Sequence, residues 1–403
     1  MSGNLPESLY PDLDKVSLDD HPGALGDHNP PPAFGIMDMP TVVEHHPFDP
    51  DADAEALYGA MRGLGTREKS IIDLLCARTN DQRQRIAMSY KNIHGKDVIS
   101  ALKGELKIII SGHFESVIIA LFKVPEMYDA EQIHHAIHLP LSDEDMLITI
   151  LCTRSNEELT ILKGAYRMQY DHDMLAAIGE HVHTSAFFKT LLAAVLQATR
   201  DERPEETDLT QIMKNVEQAK WDARALYDAG PKRWGSEKVF IPIFTNRSLP
   251  QLRIIFEELE KLTDLEVEKV IANELHNDIG KFLESLVKYI KNKHKFFAEV
   301  LYKSMKGLGT HDRKLMHTII SRSEKDLGSI RDQFDKMYAP KTLTSFIVGD
   351  TSGYYKSILL ALAGCKREHE HVAHRNSKEH SPKEIKNHGG VPSIRMSQHD
   401  DDY

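Results

Sequence analysis

The chain has 403 residues, enough for two or three ordinary domains or one repeat array. Apolar residues make up 41% and charged residues 28%, the balance of a soluble globular chain with a sizeable core. The formal net charge of −11 argues against nucleic acid as a partner and, taken alone, against an anionic membrane surface.

The acidity is uneven. Residues 1–47 hold one lysine, Lys15, against eight carboxylates, and Pro30-Pro31-Pro32 breaks regular structure, so a flexible acidic leader is expected there. Its start has neither a basic stretch nor an apolar run, which argues against a classical signal peptide. No apolar run approaches the roughly 20 residues of a membrane-spanning helix. Three cysteines, Cys76, Cys152 and Cys365, suit a reducing compartment. Residues 365–403 are rich in histidine, balanced in charge and expected to be flexible.

Between these ends the chain repeats itself four times. Arg78, Arg154, Arg247 and Arg322 sit in similar short stretches 76, 93 and 75 residues apart. Each is followed, 26 to 28 residues later, by an acid: Glu105, Glu180, Glu274 and Asp350. Periodicity within the units is helical, as at Ile71, Leu74, Leu75 and Arg78, and no segment alternates as a strand does. Thr66, Ser142, Ser236 and Thr310 stand where helix N-caps are expected. The spacing predicts an all-α array with units at 48–124, 125–197, 209–291 and 292–364. A charged linker at 198–208 separates the second unit from the third. Cys76 and Cys152 hold the same position in units one and two and read as buried thiols.

Ahead of the arginine, unit one has Met61-Arg62-Gly63-Leu64-Gly65-Thr66 and unit four has Met305-Lys306-Gly307-Leu308-Gly309-Thr310. Unit three has Gly230-Pro231-Lys232-Arg233-Trp234-Gly235-Ser236, whereas unit two, Ile137-His138-Leu139-Pro140-Leu141-Ser142, has lost both glycines. A glycine loop between helices can turn several carbonyls toward one point. Calcium takes six to eight oxygens, commonly with a carboxylate among them. The acids Glu105, Glu274 and Asp350 would supply it. Calcium would also let an acidic protein meet an acidic lipid. Competing motifs fail. Gly63 to Ser70 imitates a phosphate loop but has Glu68 where glycine is needed. Asp49-Pro50-Asp51-Ala52-Asp53 imitates an EF-hand start without its glycine or its closing glutamate. His181-Val182-His183 and His369-Glu370-His371 are pairs able to hold a transition metal, although such pairs are more often simply solvated. No nucleophile and base constellation marks an enzyme.

At these residues the sequence resembles an annexin, over roughly residues 48–364. The resemblance rests on the four-unit array, the Met-Arg/Lys-Gly-Leu-Gly-Thr loops, the Trp234-Gly235 loop and Gly349-Asp350-Thr351-Ser352-Gly353-Tyr354-Tyr355. It implies five helices per unit and a curved disc whose convex face carries calcium and meets anionic phospholipid. It implies carbonyl ligands from Met61, Gly63 and Gly65 with Glu105, from Gly230, Arg233 and Gly235 with Glu274, and from Met305, Gly307 and Gly309 with Asp350. An accessory site would use Thr66 and Glu68. Trp234 would reach the bilayer interface, or else pack in the core. The implied protein is non-enzymatic, cytoplasmic and peripheral on membranes, with unconventional export left open. The alternative is a helical scaffold that recruits a protein partner through its leader or tail.

One departure stands out. The acid precedes the next shared landmark by six residues in unit four (Asp350 to Lys356) but by ten in units one and three (Glu105 to Glu115, Glu274 to Glu284). Four residues are about one helical turn. They would either lengthen a helix or shift the acid from its loop. In unit one they include Ile108-Ile109-Ile110, which would add an apolar contact with membrane or partner.

Overall fold

A computed structural model describes residues 38–62, 67–109, 112–140, 142–182, 184–203, 208–229, 237–275, 277–307 and 309–365, apart from the side chains at 105–109, 237, 238 and 274. Among the described residues every regular element is a helix, twenty in all and five to a unit. Unit one comprises α1 (Pro50–Met61), α2 (Glu68–Leu75), α3 (Asn80–His94), α4 (Val98–Ile109) and α5 (His113–Leu121). Unit two comprises α6 (Pro125–His138), α7 (Glu144–Leu151), α8 (Asn156–Tyr170), α9 (Met174–His181) and α10 (Ala186–Leu196). Unit three comprises α11 (Leu209–Ala229), α12 (Glu237–Asn246), α13 (Leu249–Thr263), α14 (Val267–Glu274) and α15 (Asp278–Lys291). Unit four comprises α16 (Lys293–Met305), α17 (Asp312–Ser323), α18 (Leu327–Met337), α19 (Leu343–Asp350) and α20 (Gly353–Leu362).

The units associate in two compact bodies, residues 125–299 and 40–124 with 300–365. Within the second body α2 packs on α20 and α5 on α17; within the first, α7 packs on α15 and α10 on α12. Second helix thus meets fifth helix, reciprocally, in both pairs. No helix among the described residues is long and apolar enough to cross a membrane.

Local chemistry sets the boundaries. Thr79 opens α3 in a capping box with Gln82, and Ser155 opens α8 in one with Glu158. Gly95, Asp171 and Asp264 end α3, α8 and α13 in the left-handed conformation that stops a helix. The landmark arginines lock each unit internally. Arg78 forks onto Asp53 (2.6 and 2.9 Å), Arg154 onto Asp129 (2.7 and 3.0 Å) and Arg247 onto Asp222 (2.6 and 3.1 Å). Each aspartate lies on the first helix of its unit, 25 residues upstream. Unit four has Phe297 at that place, 2% exposed, and Arg322 instead forks onto Asp326 (2.7 and 2.6 Å), four residues downstream. The guanidinium fork is therefore kept while its carboxylate moves. The EF-hand imitation dissolves here too, since Asp49 caps α1 and Asp53 is the Arg78 partner.

The close of the N-terminal leader differs from the sequence expectation. Residues 1–37 and 366–403 lie outside the described residues, but the close of the supposed leader is docked. Thr41 and Val42 donate backbone N–H groups to the Ser323 carbonyl at 2.8 and 3.0 Å, and His45 exchanges two hydrogen bonds with the Gln82 side chain. The linker is also anchored: Arg200 donates to the carbonyls of Arg247 (2.8 Å) and Phe244 (2.9 Å). The cysteines carry no disulfide, and burial pushes the Cys152 thiol up to about 12.

Candidate metal centres

In units one, two and four the loop joining first and second helices is closed at its base by a backbone hydrogen bond. Arg67 N–H donates to the Ala60 carbonyl at 3.0 Å, Asp143 to Ala136 at 3.0 Å and His311 to Ser304 at 2.8 Å. The span is the same in units one, two and four, so closure does not depend on glycine. Met61 and Met305 are each 3% exposed and Ile137 1%, so this side chain anchors the loop in the core.

Glycine matters inside the loop. Gly307 and Gly309 adopt φ of 118° and 88°, values that side chains with a Cβ resist. Leu139, in the place of Gly307, does not take a positive φ. The Thr310 hydroxyl reaches the Asp350 carbonyl at 3.3 Å, which joins the loop to the end of α19. The hydroxyl expected as an N-cap is thus spent on the acid's helix, and the cap position passes to His311. In unit two the cap passes likewise from Ser142 to Asp143, whose carboxylate accepts from Met146 N–H at 3.0 Å.

Asp350 is the exposed last residue of α19. Partial desolvation, and then the charge of Asp312, hold its carboxyl above its ordinary value. A carboxylate pushed up by a second carboxylate is one that a divalent cation would relieve. The donor set, carbonyls of a glycine turn beside a strained acid, fits a hard cation with oxygen preference.

The other expected ligands are placed less completely. In unit one Gly63, Gly65 and Thr66 lie outside the described residues; Glu68 begins α2 and is buried. In unit three Gly230, Arg233, Trp234 and Gly235 lie outside them, and Glu274 is the last residue of α14. The four-residue departure resolves differently in the two units. In unit one it lengthens α4 to 12 residues against 8 for α9, α14 and α19, which leaves Glu105 one turn short of the helix end. In unit three the acid still ends its helix, and the extra residues belong to α15, so Glu284 is no counterpart of Glu115.

A family model described as Annexin matches the chain four times, at residues 52–121, 128–195, 221–286 and 296–362. The chain belongs to the annexin family. Annexin A8 of Mus musculus is 42% identical over 318 residues, covering 79% of this chain and 93% of that one. The solved structure of annexin III matches with a TM-score of 0.74 and 36% identity, covering 81% of this chain and 98% of that one. A structure described as calcium-bound annexin (Sm)1 matches with a TM-score of 0.69 and 30% identity, over 81% of this chain and 93% of that one. Calcium-dependent phospholipid binding is the property for which annexins are known.

Sequence reasoning overlooked one further element of this annexin's loops. Arg62 stands over the Tyr58 ring at 4.9 Å and Lys306 over the Tyr302 ring at 5.2 Å, equivalent places in units one and four. The aromatic residue three positions before each methionine was the available signal. Each pair holds the cation that follows the methionine against an aromatic ring of the first helix.

Proposed function

We propose that this annexin binds anionic phospholipid surfaces through calcium held in the glycine loops of repeats one, three and four. The loop carbonyls of Met61, Gly63 and Gly65 with Glu105, of Gly230, Arg233 and Gly235 with Glu274, and of Met305, Gly307 and Gly309 with Asp350 are the ligand sets. Thr66 and Glu68 form an accessory set. Bound calcium supplies a Lewis-acidic bridge with open positions for lipid phosphate or carboxylate oxygens. Repeat four carries the proposal: its two positive-φ glycines, the hydroxyl tie to α19 and the raised Asp350 carboxyl are what an oxygen-donor cation site needs. A relative described as calcium-bound supports the choice of ion. Trp234, beside the third loop, enters the bilayer interface. The protein works without catalysis, peripheral on cytoplasmic membrane surfaces.

Sedimentation with vesicles of phosphatidylserine and phosphatidylcholine tests this. The protein should pellet with calcium and return to the supernatant with chelator. Pelleting that ignores chelator, or none with calcium, contradicts the proposal.

A further inference from the structure

Repeat two keeps the clamped loop and the downstream acid, Glu180, but not the glycines. Its donors have been replaced, and the replacements are nitrogens. His138 ends α6, His172 sits in the turn between α8 and α9, and His181 ends α9. Two of these rings, His172 and His181, face Glu180, and the third, His138, lies beside His181. His172 Nε2 lies 3.3 Å from Glu180 Oε2, His181 Nε2 lies 4.0 Å from the same oxygen, and the His138 and His181 rings are 4.2 Å apart between centroids.

The orientation of His138 is informative. Its Nδ1 is 2.8 Å from the His134 carbonyl, an atom that can only accept. Nδ1 therefore carries the proton, and Nε2 of the neutral ring keeps its lone pair for another atom. A backbone carbonyl that fixes one imidazole nitrogen and frees the other is the usual outer support of a metal-ligating histidine. The support extends inward. The His134 ring stacks on Tyr170 at 3.7 Å with 4° between planes, and its Nδ1 is 3.0 Å from the Tyr166 hydroxyl. His134 is thereby fixed, and with it the turn of α6 that presents His138.

We infer that repeat two has exchanged a calcium loop for a site that binds a borderline divalent transition metal, of which zinc is the type, through His138, His172, His181 and Glu180. Three imidazoles and a carboxylate match tetrahedral zinc, with Zn–N of about 2.0–2.1 Å, and are poor donors for calcium. His138, His172 and Glu180 are exposed and His181 is half-buried, so the side chains have room to turn toward a shared ion, which the donor atoms would have to do to meet on it. The site stands apart from the calcium loops, so its failure and theirs are separately readable.

The test is titration of the full chain with Zn2+ by calorimetry, and with Co2+ by the visible bands of a tetrahedral complex. Because the tail carries His369 and His371, the H369Q/H371Q variant is measured in parallel. H138Q/H181Q, and E180Q separately, should weaken one equivalent of Zn2+ by at least about tenfold and remove the tetrahedral Co2+ bands. H369Q/H371Q should leave that equivalent intact, and millimolar calcium should not compete for it. Far-ultraviolet circular dichroism identical to that of the parent excludes unfolding as the cause. Zn2+ binding unchanged in both H138Q/H181Q and E180Q, or lost only in H369Q/H371Q, overturns the inference.

Discussion

Repeats two and four hold the same loop and offer different atoms. In both, a backbone hydrogen bond closes a six-residue loop, an apolar side chain anchors the first residue, and an acid waits near the end of the fourth helix. In repeat four the loop interior has two positive-φ glycines and a second carboxylate nearby. In repeat two the sequence there has leucines and a proline, and the His138 ring lies 4.2 Å from that of His181. Loop length and clamp thus belong to the scaffold, and in the proposed function backbone handedness and neighbouring charge are what select the ion.

That separation can be broken at the scaffold first. Asp129 in repeat two and Asp326 in repeat four each neutralise a buried arginine, from opposite directions along the chain. Asp129→Ala and Asp326→Ala should each cost about 3–5 kcal/mol in urea unfolding, because a buried guanidinium loses its partner. A small cost at either would show that the two repeats do not share this lock. The next effect concerns handedness. Gly307→Leu and Gly309→Leu give repeat four the side chains of repeat two and should each cost about 1–3 kcal/mol of backbone strain. Leu139→Gly in repeat two should leave the melting temperature nearly unchanged, and equal shifts in the two repeats would remove the distinction. A smaller effect is expected from the insertion that follows Glu105. Replacing Ile108, Ile109 and Ile110 with serine should weaken vesicle binding several-fold, and unchanged sedimentation would remove their membrane role. The smallest belongs to the cations over Tyr58 and Tyr302: Arg62→Ala and Lys306→Ala should each cost about 0.5–1 kcal/mol in thermal unfolding.

Much of the fold was readable because the repeat compares the sequence with itself. The four units and their all-α nature follow from the spacing of Arg78, Arg154, Arg247 and Arg322 and from the helical periodicity around them, whereas five helices per unit came from the family resemblance. The carboxylates that hold those arginines were missed, although Asp53, Asp129 and Asp222 stand at a constant 25 residues upstream; attention to downstream acids hid them. Glu284 was misaligned because α15 begins four residues after Glu274, so its amphipathic face supplies more than one plausible register. The caps expected at Ser142 and Thr310 fall one residue later, at Asp143 and His311, and the Thr310 hydroxyl reaches the Asp350 carbonyl instead. Of the candidate sites, the loops were legible as glycine patterns. The histidine cluster was not, because His138 and His181 are 43 residues apart and meet only when α6 and α9 pack.

The central claim is that ion binding follows the loop, repeat by repeat. It is tested most directly by calcium titration of vesicle sedimentation with two variants, E105Q/E274Q/D350N and E180Q. The triple variant should lose calcium-dependent pelleting while its helical circular dichroism is retained, and E180Q should pellet at the same calcium concentration as the parent. Undiminished pelleting of the triple variant, or an equal loss in E180Q, would contradict the account.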